Sequence, residues 1–148
     1  YTLLFNYFDE NPSHFEHEGI FRKGGKSDLL AQLQSELEGG NYEFLQTVDD
    51  AYSVAAFLKK VIRDMGEPLC TFKGYEEFKS MGDEKDEDRM IDMVRSSFER
   101  LPALNRDTFR ALLRFLGHVA VFEEDNKMSP TNLAIVFAPN LFKPFEMT

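Results

Sequence analysis

One arginine of this chain has neighbours that would present it outward from a loop. Arg22 lies in the segment EGIFRKGG at residues 18–25, after an apolar pair and shortly before two glycines. The apolar pair can anchor one side of a loop in the core, and glycine lets the backbone turn. A guanidinium is planar and permanently charged, which suits it to binding phosphate or carboxylate groups. Arg22 therefore either acts on another molecule or pairs with a carboxylate of this chain.

Two further cations, Lys59 and Arg63, lie four residues apart, so a helix would place them on one face. Like charges at this spacing cost about 0.2–0.5 kcal/mol in an isolated helix, and the dipole at the helix C-terminus offsets part of that cost. The pair is therefore either a solvated surface or a surface that faces an anionic partner.

Asn132 is the third polar residue of interest, because it lies inside the apolar run TNLAIVFA. Asparagine is a poor helix former, since its side chain competes for nearby backbone groups. At this position it either satisfies a neighbouring backbone group or faces a partner.

Other chemistries have weak signals. His14 and His17 have HxxH spacing, but a zinc site needs three or four ligands and no histidine or cysteine partner is nearby. Cys70 has no neighbouring feature that marks an activated thiol. The acidic stretch GDEKDED at 82–88 lacks the ligand pattern of a calcium loop, and the chain has no phosphate-binding GxxxxGK[ST] motif. We expect neither a metal site nor independent nucleotide hydrolysis.

The composition is that of one ordinary domain: 148 residues, 15 of them phenylalanine, with a single cysteine. A net charge of −9 argues against nonspecific binding to nucleic acid or to anionic membranes. No apolar run approaches transmembrane length and no signal peptide is visible. We expect a cytoplasmic location, with any membrane recruitment supplied by domains outside this chain.

Helical periodicity recurs along the chain, and no segment alternates with period two. The predicted helices lie at residues 2–9, 27–38, 49–66, 86–100, 105–122 and 129–139, with one further turn of helix near 75–80. The residues expected to begin or end helices are Ser27, Asp49, Asn105, Ser129 and Pro139. The pattern predicts an all-α, single-domain helical bundle, with the Arg22 loop between the first two helices.

Three ordered blocks of this sequence resemble the RhoGAP domain, the GTPase-activating domain for Rho-family small GTPases. EGIFRKGG at 18–25 is similar to the family's EGIFR-x-x-G block. AFLKKVIRDMGEPL at 56–69 resembles LK-x-x-x-R-x-L-P-x-P-L, and NKMSPTNLAIVFAPNLF at 126–142 resembles NKM-x-x-x-NLA-x-VF-x-PNL. The blocks and their helical spacers cover most of the chain.

The resemblance implies that Arg22 is an arginine finger, inserted in trans into the active site of a GTP-bound Rho-family GTPase. The chain would then be an activator and not itself an enzyme. It would need no cofactor of its own, since GTP and Mg²⁺ belong to the partner. The expected domain is monomeric and binds no nucleic acid. An alternative within the same family is a catalytically silent module that binds a small GTPase as a scaffold or adaptor.

Further residues take their expected roles from the same resemblance. Lys59 and Arg63 match cations that support the finger loop and touch the GTPase, and Asn132 matches an asparagine that contacts the partner near its switch regions. Asn126 and Asn140 match further family positions that support the finger or bind the GTPase. The resemblance does not indicate which Rho-family member is preferred.

Two features depart from the family pattern. Gly66 replaces a proline in the turn after the basic helix, which loosens that turn, and Ala138 replaces a glycine. Family domains also continue with one or two helices beyond the last block. We therefore expect residues 1–148 to be one RhoGAP domain that lacks its C-terminal helix or helices.

Overall fold

The computed structural model describes residues 2–144, and within them every regular element is helical. The α-helices are α1 (Thr2–Asp9), α2 (Ser27–Glu38), α3 (Ala51–Arg63), α4 (Phe72–Ser80), α5 (Glu87–Glu99), α6 (Ala103–Val121), α7 (Glu123–Asn126) and α8 (Pro130–Leu141). Short 3₁₀ helices lie at Pro12–Glu16, Tyr42–Thr47 and Met81–Asp83. The all-α prediction is confirmed. The expected helices after the last block, and the boundary at residue 148, lie outside the described residues and stay predictions.

A cluster of phenylalanine rings forms the part of the core that holds the loop carrying Arg22. Phe21, from the loop, lies 5.3 Å from the ring of Phe8 in α1 and 5.5 Å from Phe137 in α8. Phe115 of α6 meets Phe21 at 5.7 Å, nearly edge to face, and Phe15 lies beside both Phe8 and Phe115. Edge-to-face and tilted ring pairs are favourable beyond the area that they bury. The loop is therefore attached to helices from both ends of the chain.

Helix α3 is the other element on which the site depends, and it is amphipathic, as its apolar spacing predicts. Its buried residues include Val54, Ala55, Leu58 and Ile62. Its N-cap is Asp50 and not the predicted Asp49, because the carboxylate of Asp50 accepts a hydrogen bond from the Ser53 N–H. The cap therefore lies beside the loop that carries Arg22, because Asp50 also accepts from the Ser53 hydroxyl, which is bonded to that loop.

Three further predicted helix ends were wrong. Helix α3 ends at Arg63, three residues before its predicted end at residue 66. Asn105 does not cap α6, which begins at Ala103; its side-chain amide donates to the Leu69 carbonyl at 3.0 Å. Pro139 does not end α8, which continues to Leu141. A proline near a helix C-terminus forgoes only its own N–H bond, and the next turn is kept by the Phe142 N–H bond to the Ala138 carbonyl.

The α4–α5 region differs most from its prediction. The single turn expected near 75–80 is a helix of nine residues, begun by the Thr71 hydroxyl, which accepts from the Gly74 N–H. In α5, Ile91 and Val94 are exposed although both are large apolar residues. Helix α5 packs on α4, and its Phe98 ring lies 5.6 Å from Phe109 of α6, which is not one of the rings that contact Phe21.

None of the helices between residues 2 and 144 combines the length and the apolar character needed to cross a bilayer.

Candidate functional site

The loop that carries Arg22, residues 17–26 and here called the finger loop, is built as a tight reversal. Ile20 and Phe21 are fully buried, whereas Arg22 is exposed. The N–H groups of Arg22 and Lys23 both donate to the carbonyl of Gly19, at 2.9 and 2.8 Å. These two bonds close the turn and place Arg22 at its tip.

Two residues of the finger loop have left-handed backbone conformations. Gly19 has φ = +73°, which glycine adopts without steric cost, and Phe21 has φ = +71°. For a non-glycine residue this costs about 1–3 kcal/mol and persists only where the surroundings impose it. The surroundings here are the phenylalanine cluster, because burial of the Phe21 ring offsets the backbone strain. The strained residue directly precedes Arg22.

Within residues 2–144 the Arg22 side chain forms no ion pair or hydrogen bond. The guanidinium lies over the backbone of Gly19, where an added Cβ would be 2.9 Å from Nη2. Gly19 therefore provides both the left-handed turn and the space that the guanidinium occupies. No carboxylate of the described chain pairs with Arg22, which leaves its donors available to another molecule.

The C-terminal end of the finger loop packs directly on α3. The Lys26 N–H donates to Ser53 Oγ at 3.0 Å, and that hydroxyl donates to Asp50 at 2.9 Å. A Cβ on Gly25 would lie 2.5 Å from the Ser53 Cα, so no larger residue fits there. Neither Gly24 nor Gly25 has a left-handed backbone conformation; Gly19 has one, and Gly25 is required for close packing.

Asn126 is fully buried and lies behind the finger loop. Its side-chain amide donates to the carbonyls of Phe15 and Val119, both at 2.9 Å, and its Oδ1 accepts from the Met128 N–H at 2.8 Å. Its backbone carbonyl accepts from the Gly19 N–H at 2.7 Å. Since a buried amide must have partners, this network fixes the joint of α6, α7 and the loop. The contacts of Asn126 are those of a support for the loop.

A groove of 590 Å³ brings together three of the residues singled out by the sequence. It is bounded by α2, α3 and α8, and its lining includes Lys59, Lys60, Arg63, Pro139 and Asn140. Partial burial, followed by repulsion from Arg63, lowers the pKa of Lys59. Ser27, the residue that follows the finger loop in the chain, is also part of the groove lining.

Asp64 limits the positive charge of this groove. Its carboxylate lies 2.6 Å from Lys60 Nζ and 3.4 Å from Arg63 Nε, and the hydrogen bond from Lys60 lowers the pKa of Asp64. Lys143 donates to the carbonyl of Arg63 and adds a cation at the C-terminus of α3. The spacing of Lys60 and Asp64 was visible in the sequence, whereas the approach of Lys143 depends on the path of the chain after α8.

Asn132 lies apart from the groove lining, in the exposed first turn of α8. Its amide donates to the Lys127 carbonyl at 3.2 Å, and the amide of Asn140 donates to the Val136 carbonyl at 3.3 Å. Ile135 follows Asn132 by one turn and is 66 % exposed. The sequence does not reveal this exposed apolar residue, because hydropathy alone cannot separate it from the buried members of the same run.

The two histidines form a ring stack and not a ligand set. His14 lies 4.9 Å from the Tyr7 ring and 5.9 Å from His17. Burial, followed by repulsion from His17, lowers the pKa of His14, and its Nδ1 is buried without a partner. In the described part of the chain, no three His, Cys, Asp or Glu side chains are placed to hold a metal ion. Cys70 is buried, which raises the pKa of its thiol to about 12.

Known proteins are similar to this chain in sequence and in fold. The chain is 35 % identical over 126 residues to mouse Rho GTPase-activating protein 17, and 36 % identical over 144 residues to Rho GTPase-activating protein gacN of Dictyostelium discoideum. These matches cover 85 % and 97 % of this chain but only 15 % and 23 % of those relatives. The chain therefore spans less than a quarter of either protein.

Two solved structures have the same fold. The BH domain of Graf, the GTPase regulator associated with focal adhesion kinase, superposes with a TM-score of 0.83 at 20 % identity, over 98 % of this chain and 78 % of that one. Human Rho GTPase activating protein 15 superposes with a TM-score of 0.82 at 26 % identity, over 94 % of this chain and 66 % of that one. The family model described as the RhoGAP domain matches residues 5–146. The chain thus belongs to the RhoGAP domain family.

Proposed function

We propose that this domain stimulates GTP hydrolysis by a Rho-family small GTPase and supplies Arg22 in trans as an arginine finger. The observation that carries the proposal is the state of Arg22: exposed, unpaired within residues 2–144, and held at the tip of a strained, anchored turn. A surface arginine with only a structural role would have a partner. The names of the relatives, Rho GTPase-activating proteins, support the same partner class.

The chemistry suits a guanidinium. As the γ-phosphoryl group transfers, negative charge spreads over its oxygens and the leaving oxygen, and a planar fork of N–H donors stabilises that charge. An arginine supplied in trans raises the rate about 10³- to 10⁵-fold, which corresponds to about 4–7 kcal/mol of transition-state stabilisation. GTP, Mg²⁺ and the residue that orients the water belong to the GTPase, so this domain needs no cofactor of its own.

Docking depends on the surface beside the finger loop. Lys59 and Arg63 in the groove provide a local positive field on a chain whose net charge is −9. Such a field steers an acidic surface of the partner toward the groove. Asn132 and the exposed Ile135 extend this surface along α8, with one polar and one apolar contact.

The test is single-turnover GTP hydrolysis by a panel of Rho-family GTPases, with the wild-type chain, Arg22→Ala and Arg22→Lys. We expect strong stimulation of at least one GTPase, a loss of about 10³-fold or more with alanine, and poor rescue by lysine, because an ammonium is a point charge without the planar fork. Thermal unfolding should be unchanged, since the described residues hold no partner for Arg22.

Two results would contradict the proposal. Binding to a GTPase without stimulation by the wild-type chain would identify a silent binding module. Unfolding of the Arg22→Ala variant would show that Arg22 supports the fold.

A further inference from the structure

We infer that Tyr52 is a positioning residue for Arg22, whose hydroxyl sets the angle at which the finger loop presents the arginine. Tyr52 lies in the first turn of α3, outside the blocks that carry the family resemblance. The inference rests on the proposed function, because it assigns a residue that orients the proposed finger.

Tyr52 contacts the finger loop on both sides of Arg22. Its Oη donates to the Glu18 carbonyl at 2.7 Å, and its ring lies 5.5 Å from the ring of His17. Beyond the tip of the loop, the Lys23 ammonium lies 5.9 Å from the centre of the same ring, within cation–π range. One side chain of α3 therefore connects residues before and after the finger.

The hydrogen bond matters because of the peptide unit that it holds. The Glu18 carbonyl and the Gly19 N–H belong to one planar peptide group. Tyr52 binds the oxygen of this group at 2.7 Å, and the Asn126 carbonyl binds its N–H at 2.7 Å. The plane is thus held at both polar atoms, from α3 and from α7, and cannot rotate without breaking a bond.

This fixed plane determines where Arg22 points. Gly19 follows it with φ = +73°, and the Gly19 carbonyl then accepts the N–H groups of both Arg22 and Lys23. No side chain in residues 2–144 bonds to the guanidinium. The backbone alone therefore sets the point from which the Arg22 side chain extends. Small errors in placing a catalytic group reduce the rate more than they reduce binding.

Tyr7 offers a matched control. It is also a tyrosine whose Oη donates to a backbone carbonyl, that of Val48, at 2.6 Å, but its bond is buried and does not involve the finger loop. Removal of that hydroxyl should cost at least as much stability as removal of the Tyr52 hydroxyl, whose bond to Glu18 is exposed to solvent. A loss of stimulation caused by reduced stability would therefore appear in Tyr7→Phe as well.

The experiment measures single-turnover GTP hydrolysis against the concentration of the whole chain for wild type, Tyr52→Phe, Tyr7→Phe, Arg22→Ala and the Tyr52→Phe/Arg22→Ala double variant. We expect Tyr52→Phe to lower the maximal rate about 3- to 10-fold, the effect of one lost hydrogen bond, with an unchanged half-saturating concentration. Tyr7→Phe should lower the melting temperature and keep the maximal rate. In the Arg22→Ala background, Tyr52→Phe should have no further effect, because its action passes through the arginine.

Amide hydrogen exchange of the free chain provides a readout that does not depend on the GTPase. Tyr52→Phe should speed exchange at Gly19, Arg22 and Lys23, and leave the core of α3 unchanged. Two results would overturn the role of Tyr52 and leave the proposed function intact. One is unchanged exchange at these amides in Tyr52→Phe. The other is a maximal rate of Tyr52→Phe equal to that of the wild-type chain, while Arg22→Ala is inactive. A raised half-saturating concentration alone would make Tyr52 a contact for the GTPase. No stimulation by the wild-type chain would overturn the proposed function and with it the catalytic consequence of Tyr52.

Discussion

Arg22 and Lys59 are both cations of the proposed site, but the protein holds them in different ways. Arg22 has no polar side-chain partner in residues 2–144 and receives its position from its backbone. Lys59 is half-buried beside Arg63, and this environment disfavours its charged form. A charged residue that lowers folding stability is expected at a site whose function requires that charge. The two residues therefore call for different tests.

Lys59→Met keeps the apolar stem of Lys59 and removes its charge. We expect equal or slightly higher stability, by about 0.2–0.5 kcal/mol, since a like-charge pair at i,i+4 is relieved. Binding to the partner GTPase should weaken and become less dependent on salt. Denaturant unfolding and titration binding at two salt concentrations measure these effects.

Lys85→Met is the matched control, because it removes the same charge from the acidic stretch at 82–88, far along the chain from the groove. Its binding should equal that of the wild-type chain. Equal weakening by both variants would show that only net charge matters, and a large stability loss in Lys59→Met would assign Lys59 to the fold.

At the scale of elements, the position of the finger loop depends on its close packing against α3. The glycines differ in this respect, and sequence alone does not separate them. A Cβ on Gly25 would meet the Ser53 backbone at 2.5 Å, whereas a Cβ on Gly117, inside α6, would meet no atom within 4 Å. One glycine is therefore required by packing, and the other only lowers helix stability.

Gly117→Ala should raise the free energy of unfolding by about 0.5–1 kcal/mol, because alanine is the better helix former and the position has space. Gly25→Ala should lower the free energy of unfolding and also reduce the stimulation of GTP hydrolysis, since the finger loop must move away from α3. Denaturant unfolding of both variants checks the pair. A destabilised Gly117→Ala variant would show that α6 is packed more tightly at this position than the structure indicates.

At the scale of the whole molecule, the net charge and the charge of the proposed docking face have opposite signs. The net charge is −9, yet the proposed docking face is cationic, and much of the acidic excess lies at 82–88, a stretch that ends in the first turn of α5. The phenylalanine cluster that holds the loop joins α1, α6 and α8, so the position of Arg22 depends on the integrity of the entire bundle. Conditions that weaken this core should therefore also weaken the site.

Mild acid is one such condition, through His14. Burial lowers the folded-state pKa of His14 from 6.5, so the unfolded chain binds more protons once the pH falls below that value. Stability is therefore present above pH 6.5 and is lost as the pH falls toward the folded-state pKa. His17 lowers that pKa further and Asp49 opposes the shift, while the facing Tyr7 ring is uncharged.

We expect the free energy of unfolding to fall between about pH 7 and pH 5.5, and to fall less in His14→Phe, which keeps the ring stack without a titrating group. Denaturant unfolding at the two pH values gives the comparison. An equal decrease in His14→Phe would assign the loss to carboxylates instead.

The sequence by itself determined the helical class, the amphipathic face of α3 and the exposure of Arg22 beside two buried neighbours. These follow from local rules: apolar spacing of 3.6 residues, glycine as a helix stop, and the burial of adjacent large apolar side chains. The spacing of Lys59 and Arg63 also needed only the helix period. The three blocks of resemblance added the family and the expected roles.

Only the tertiary structure decided which groups hold the loop. The Tyr52 bond to Glu18 spans 34 residues, and the Asn126 bond to Phe15 spans 111. Contacts of this length depend on how the helices pack, and local periodicity carries no information about them. For the same reason the sequence does not show that packing of Phe21 among rings from α1, α6 and α8 places the left-handed turn at Gly19 and Phe21.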